Sequence, residues 1–214
     1  MRFVLATANP AKGREIADVL SDARLPVELT PRPAGVPPVE ENGETLEANA
    51  RLKARAVRDA TGQAAIADDT GLEVDALDGA PGVRSARFAG PDAVDDENVA
   101  LLLERLRDVP LERRRARFVT VAVASFPDGR ELAAIGSATG TIAAERRGRN
   151  GFGYDCVFIA DAGDGRTFAE LSAAEKHAAS HRGEAFRTLA RGLAILDQAG
   201  HLDPPGETAG GDGA

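Results

Sequence analysis

Two strand-forming runs, Arg117 to Phe126 and Glu131 to Ile142, flank the turn tripeptide Pro127-Asp128-Gly129. A short turn of that composition joins antiparallel neighbours, so the pair reads as a β-hairpin. This hairpin constrains the fold more than any other stretch, because the rest of the chain alternates strand and helix. Alternation alone would give parallel strands linked by crossover helices. A hairpin inserted into it requires a mixed sheet, and the expected class is α/β with a mixed β-sheet flanked by helices.

The alternating units are legible one by one. Arg2 to Thr7 reads as a strand, with Asn9 at an N-cap, Pro10 at the first helical position and Glu15 to Leu20 at helical spacing. Val27 to Thr30 is a second short strand, and the Pro-rich stretch 31–38 is a loop that ends in Glu40-Glu41-Asn42-Gly43. Glu44 to Thr61 lacks Gly and Pro, and the pattern predicts a helix closed by Gly62. Ala64 to Ala67 predicts a strand ending in Asp68-Asp69-Thr70-Gly71, a usual place for a site at the carboxyl edge of an α/β sheet. A helix is expected over Glu97 to Arg107, and a strand over Cys156 to Ile159. Ser172 and Glu175 have capping-box form, and Phe186, Leu189, Ala190, Leu193 and Leu196 give the last helix an apolar stripe.

Charge narrows the function classes. Lys and Arg number 26 against 34 Asp and Glu, a net of −8, which argues against a broad positive face for nucleic acid. Any polyanion must therefore be met by local cations. The lone cysteine, Cys156, has no partner for a disulfide or a zinc site, so a reducing cytoplasmic location is expected. No apolar run is long enough to span a membrane and no leader pattern is read at the start, so neither a span nor secretion is expected. At 214 residues one domain hides roughly 70% of its unfolded surface.

Several clusters could carry chemistry. Thr7-Ala8-Asn9-Pro10-Ala11-Lys12 lies at a strand-to-helix junction, where free N–H groups and Lys12 would hold phosphate. The same residues also read as an ordinary cap with a solvated lysine. Asp68 and Asp69, with Glu40 and Glu41 from the Pro-rich loop, suit Mg²⁺, which takes few protein oxygens and completes its shell with water and substrate phosphate, although acids at a loop more often cap or face solvent. Adjacent strand residues face opposite ways, so one aspartate is expected to enter the site and the other to cap or face solvent. In the basic loop from Arg146 to Asp155, Gly151 and Gly153 bracket Phe152, which either stacks a planar ligand or anchors a flexible loop. Lys176, His177, His181 and Arg182 offer donors for the edge of a base, or simply form a surface helix turn.

Taken together, these stretches resemble the Ham1-like non-canonical purine NTP pyrophosphatases. The similarity is carried, in family order, by Thr7 to Lys12, Glu40 to Ala50 with Lys53, Ala67 to Gly71, Gly79 to Arg87, Gly151 to Asp155 and Ser180 to Gly183. Glu41-Asn42-Gly43 and Thr45-Leu46 stand where relatives often have Glu-Thr-Gly and Thr-Phe, and Thr70 stands for a frequent Ser. The resemblance implies a two-lobed fold with a central cleft, expected as a single domain over 1–202, and the Pro, Gly, Thr and Asp of 203–214 read as a disordered tail. It implies hydrolysis of ITP, dITP and XTP to the monophosphate and pyrophosphate with Mg²⁺, which cleanses the nucleotide pool, by a homodimer. Carried over residue by residue, Asp69 is the catalytic proton acceptor, and Glu40 (or its neighbour Glu41) and Asp69 hold metal. Thr7, Ala8, Asn9, Pro10, Ala11 and Lys12 line the phosphates. Thr70, Phe152, Gly153, Tyr154, Asp155, Lys176, His181 and Arg182 contact substrate, with Lys53 and Arg87 as further phosphate candidates. Two rival classes are a non-catalytic nucleotide sensor using the same cradle and an RNA-binding protein working through Arg146 to Arg149.

Overall fold

In the computed structural model, residues 1–23 and 26–200 are described; the tail expected over 203–214 lies outside them. Strands β1 (Arg2–Leu5) and β2 (Glu28–Thr30) pair in parallel, and β1 pairs in parallel with β3 (Ala65–Val74) on its other side. The two-residue strand β4 (Pro81–Gly82) lies antiparallel to the far end of β3. The hairpin is β5 (Arg115–Ser125) and β6 (Glu131–Ile142), with β7 (Phe158–Ala160) beyond it. The main order is β2-β1-β3-β5-β6-β7 in a seven-stranded sheet, and the change from parallel to antiparallel falls at β3. The sheet is mixed, as the hairpin requires.

Helices α1 (Pro10–Asp22), α2 (Leu46–Thr61), α3 (Asp95–Arg105), α4 (Ala173–Ala179) and α5 (His181–Gln198) flank it. The alternation along β3 sorts them. Ala65 and Ala67 pack with Ala50, Ala54 and Val57 of α2, whereas Ile66 packs with Ile16 and Val19 of α1 and Phe186 and Leu189 of α5. A third cluster, around Leu72, Leu102, Phe118, Phe158 and Phe168, fills the far end of the sheet.

The differences from expectation have local causes. The strand expected to stop at Ala67 runs on to Val74, because β5 pairs with all of it, from Ala65 opposite Ser125 to Val74 opposite Ala116. Long-range pairing overrides the low strand propensity of two aspartates and a glycine. The last strand is Phe158–Ala160 rather than Cys156 to Ile159, since Cys156 closes a 3-10 turn that starts at Gly153. Helix α2 begins at Leu46 rather than Glu44, because Thr45 Oγ1 caps it by accepting from the Ala48 N–H at 3.1 Å.

Two features place elements for the site. Beyond Leu5 opposite Ile66 strand β1 ends, and β4 begins only at Gly82 opposite Leu72. Ala67 to Gly71 therefore have no strand neighbour on that edge, and the sheet has a notch there. On the α5 side, Gly136 of β6 lets the helix start close, because a Cβ at that position would strike His181 O and Ala185 N. Any larger residue would lift His181 and Arg182 off the sheet.

A charge cluster ties α2 to the hairpin. Glu131 accepts from Arg51 at 2.5 Å and from Arg55 at 2.8 Å, and Ser125 Oγ donates to it at 3.1 Å. These hydrogen bonds, led by Arg55, hold its carboxyl down at about 2. A carboxyl depressed in the folded state contributes stability above its unfolded pKa and loses it as pH falls toward the folded value. Glu131→Gln is expected to cost about 2 kcal/mol at pH 7 in urea unfolding. The difference from wild type should shrink between about pH 4.5 and 2, and a pH-independent difference would show that the cluster acts through packing.

Candidate active site

Helix α1 begins as its sequence dictates. Asn9 Oδ1 accepts from the N–H groups of Ala11 at 2.9 Å and Lys12 at 3.3 Å, and Pro10 sits at the first helical position. Asn9 N–H in turn donates to Thr7 Oγ1 at 3.1 Å. The loop is thus tight, and it points Lys12 across the notch, where its ammonium lies 3.4 Å from Asp68.

The two aspartates face opposite sides of the sheet, but neither faces solvent nor caps a helix. That expectation is corrected: Asp68 is 2% and Asp69 6% exposed. Both sit on the stretch of β3 that β1 no longer flanks, so groups from both faces converge on one opening. On the α2 face Asp69 accepts from Lys53 Nζ at 2.7 Å and from Asn49 Nδ2 at 3.3 Å. Lys53 also lies 3.4 Å from Glu41. Of the two loop glutamates it is thus Glu41 that the fold brings to Asp69, whereas Glu40 is exposed and forms no ion pair among the described residues. On the other face Asp68 Oδ2 accepts from Arg182 Nη2 at 3.1 Å and from Thr70 Oγ1 at 3.2 Å.

From Arg182 the charges alternate onward. Its guanidinium donates to Glu15 of α1 at 2.6 Å, Lys176 donates to the other oxygen of Glu15 at 2.6 Å, and the same Lys176 ammonium reaches Asp155 at 2.5 Å. Arg182 stands in the first turn of α5, so its charge adds to the positive end of a helix dipole, and the buried acids beside it compensate. Burial pushes the Asp68 carboxyl up, but Lys12, Arg182 and Lys53 outweigh it and hold it well below the usual carboxylate range. For Asp69 and Asp155, burial wins over Lys53 and Lys176 respectively, and both carboxyls are pushed up. Burial also drives His181 well below its ordinary value, so its imidazole is neutral.

Beside this chain lies a cavity of about 120 Å³, lined by Thr70, Ser85, Ala86, Asp95, Phe118, Phe152, Tyr154, Asp155, His181 and Arg182. Phe152 is held by its own N–H, which donates to Asp155 Oδ2 at 2.9 Å, and by the next one, since Gly153 N–H donates to Asp95 at 2.8 Å. Gly151 and Gly153 both have positive φ, which lets the chain reverse on either side of the ring. Lys176 and Arg182 lie over that ring, 4.9 and 5.5 Å from its centroid. His181 stacks on Phe118 at 4.3 Å, and its Nδ1 is buried without a partner among the described residues. Tyr154 donates from its hydroxyl to Ser85 O at 2.9 Å, joining two parts of the lining.

Of the sequence-predicted residues, Asn9, Lys12, Thr70, Phe152, Gly153, Tyr154, Asp155, His181 and Arg182 line this cavity, Lys176 lies over its Phe152 ring and Asp69 lies at the notch beside Lys53, whereas Thr7, Ala8 and Pro10 line a separate hollow with Pro31, Pro33 and Pro38. Arg87 does not line this cavity; it donates to the Glu41 carbonyl at 3.2 Å. Arg146 and Arg147 of the basic loop are engaged by Asp96 and by Glu170 and Gly165 O, so the loop offers no row of free cations. Sequence reading missed Glu15 and Asn49. Glu15 lies three positions after Lys12 on the same face of α1, and Asn49 and Lys53 interrupt the apolar stripe of α2; both spacings were visible signals. Ser180 ends α4 and caps α5, so His177 and His181 belong to different helices.

The donor set suits a hard divalent cation. Among the described residues no group of three or more His, Cys, Asp or Glu could cage a metal, but Glu41 and Asp69 come from separate segments to share one lysine ammonium. Two carboxylates with the remaining positions left to water and phosphate is the pattern of Mg²⁺.

Asp68→Asn should leave Lys12 and Arg182 without their shared counter-charge and lower stability by about 3 kcal/mol. Urea unfolding at pH 7 measures this, and an unchanged midpoint would mean that solvent or Glu15 already screens both cations.

A Ham1 family model matches residues 3–192. The dITP/XTP pyrophosphatase of Frankia alni is 52% identical over 195 residues, 89% of this chain and 96% of its own. That of Streptomyces coelicolor is 46% identical over 190 residues, 88% and 94% of the two chains. The solved HAM1 protein of Coxiella burnetii superposes with a TM-score of 0.81 at 40% identity, covering 91% of this chain and 99% of that one.

Proposed function

Because this chain belongs to the Ham1 family, we propose that it is a nucleoside triphosphate pyrophosphatase that hydrolyses the non-canonical purine nucleotides ITP, dITP and XTP to the monophosphate and pyrophosphate with Mg²⁺. In this reading it removes such nucleotides from the cytoplasmic pool as a homodimer. The observation that carries the reading is the continuity of two unlike places: a cavity of about 120 Å³ with an aromatic wall and buried donors, opening beside a cluster of lysines and carboxylates at the notch in the sheet. The cavity is smaller than the roughly 300–1,000 Å³ of a complete ligand pocket. It suits the base, with the phosphates lying outside it over Lys12 and Lys53.

Phe152 offers its ring to the base, close to the fixed cations of Lys176 and Arg182. Arg182 donates to the 6-oxo group of hypoxanthine or xanthine, and neutral His181 can donate from one ring nitrogen. Adenine presents a 6-amino donor there and would leave these buried groups unpaired, which a hydrogen-bonding site rejects strongly. Asp155 accepts from a ring N–H. At the other end, the N–H groups that start α1 and the ammonium of Lys12 hold the phosphates. A nucleoside triphosphate brings about four negative charges, and Lys12 and Lys53 meet part of that charge locally in a protein that is acidic as a whole.

Mg²⁺, held by Asp69 and Glu41, would neutralise phosphate charge and polarise the phosphorus under attack. Asp69 takes the proton from the attacking water while Asn49 and Lys53 fix its orientation. In-line attack on the α-phosphorus breaks the α–β bond, and pyrophosphate leaves. A nucleotide sensor would use the same cradle without turnover, so a nucleotide panel with product identification separates the two.

Asp69→Asn should lower kcat for ITP by about 10²–10⁴-fold with the fold retained, and a variant as active as wild type would remove Asp69 from the chemistry. Lys12→Ala should raise KM for ITP more than it lowers kcat, because a phosphate contact acts in ground and transition states alike. Arg182→Ala should erase most of an ITP-over-ATP preference of about 10²-fold or more in kcat/KM. Full preference retained by that variant would show that the base is read elsewhere.

A further inference from the structure

The motif from Gly79 to Arg87 is not used by the chemistry above. Its turn, Ser85–Arg87, is a wall between two cavities. Ser85 and Ala86 line the inner one, which holds the base in the reading above. Arg84, Arg87 and Phe88 line the outer one, together with Pro81 of β4 and Arg105 at the end of α3; its volume is about 620 Å³. The wall is stiff: Asn98, itself 2% exposed, accepts from the Ala89 N–H at 2.8 Å and donates to Ala86 O at 3.1 Å.

The outer cavity concentrates charge of one sign. About half of the arginines among the described residues are bound by a carboxylate, Arg2, Arg51, Arg55, Arg58, Arg115, Arg117, Arg146, Arg166 and Arg182 among them. The three guanidinium groups around this cavity form no ion pair among the described residues. Arg105 lies over the Phe88 ring at 4.7 Å, Arg87 donates to a backbone carbonyl, and Arg84 is exposed. In a chain of net charge −8, three unpaired guanidinium groups around one concavity leave a local positive potential that a multivalent anion can neutralise. Guanidinium forks match phosphate oxygens two at a time, and the volume exceeds what a single phosphate needs.

We propose that this outer cavity is a second anion site, which takes a di- or triphosphate chain on Arg84, Arg87 and Arg105, separate from the substrate pocket on the other side of the wall. Such a chain is carried by inorganic polyphosphate or by a nucleotide, and both would present the same oxygens to the three forks. The site does not depend on hydrolysis, and its test does not either.

Equilibrium dialysis of the full chain against inorganic tripolyphosphate, without nucleotide, counts the sites. Wild type should bind a second equivalent beyond the one held at Lys12 and Lys53. R84A/R105A should lose that second equivalent, or bind it at least about tenfold more weakly, while hydrolysing ITP as wild type does. Lys12→Ala with Lys53→Ala should lose the other equivalent and keep this one. Repeating the titration with ATP decides whether a nucleoside adds affinity to the phosphate chain. Unchanged stoichiometry and affinity in R84A/R105A would overturn the proposal. So would a wild type whose only equivalent disappears with Lys12 and Lys53, which is the outcome expected if a second copy of the chain fills the cavity. Loss of binding in R84A/R105A by a protein that never hydrolyses ITP would leave this site standing and remove the pyrophosphatase reading instead.

Discussion

Buried like charges would drive this molecule apart if they were not interleaved. Asp155, Lys176, Glu15, Arg182, Asp68 and Lys12 form a line of alternating sign drawn from β3, α1, α4, α5 and the Phe152 loop. Each member has at least one opposite neighbour, so elements far apart in sequence are joined by contacts that are costly to break singly. Glu15 is the middle link, and its two oxygens hold the cations of α4 and α5 apart by a fixed amount. One end of the line lies at the loop that starts α1 and the other at the aromatic cavity.

The line can exist because the sheet is incomplete. Strand β1 stops at Leu5 while β3 continues, and β5 supplies hydrogen bonds along the whole of β3 from the other edge. A lone extended strand with one free edge would be poorly satisfied; with β5 behind it, the free edge from Ala67 to Gly71 is tolerated and becomes an opening. Charges on opposite faces of the sheet, Asp68 on one and Asp69 on the other, then meet around a single edge. This resolves the apparent conflict between strand alternation and a two-aspartate site.

Overall acidity and a polyanionic ligand are also compatible on this geometry. At the opening Lys12, Lys53, Lys176 and Arg182 are bound as counter-ions to buried carboxylates, while the chain as a whole keeps its net charge of −8. Lys12 and Lys53 are already oriented there by their carboxylate partners, so the phosphate binding proposed at the opening would demand little reorganisation of them.

The sequence by itself determined the parts whose signals are local. Asn9-Pro10 marks where α1 begins, Gly62 where α2 ends, Ser172 with Glu175 where α4 begins, and Pro127-Asp128-Gly129 that β5 and β6 are neighbours; each works within a few residues of chain. Motif order also located the loops around the opening. Tertiary structure alone decided that β3 runs through both aspartates, because that depends on pairing with a strand some fifty residues away. It decided that Glu41 rather than Glu40 meets Lys53, since a one-residue shift in a loop reverses which side chain turns inward. It brought in Glu15, whose partners Lys176 and Arg182 lie far along the chain. It set the reach of α5, through the closeness that Gly136 permits. Local sequence fixes dihedral preferences and caps, whereas the sign and distance of a charge's partner are set only when distant segments pack, and that packing made a line of charges into a site.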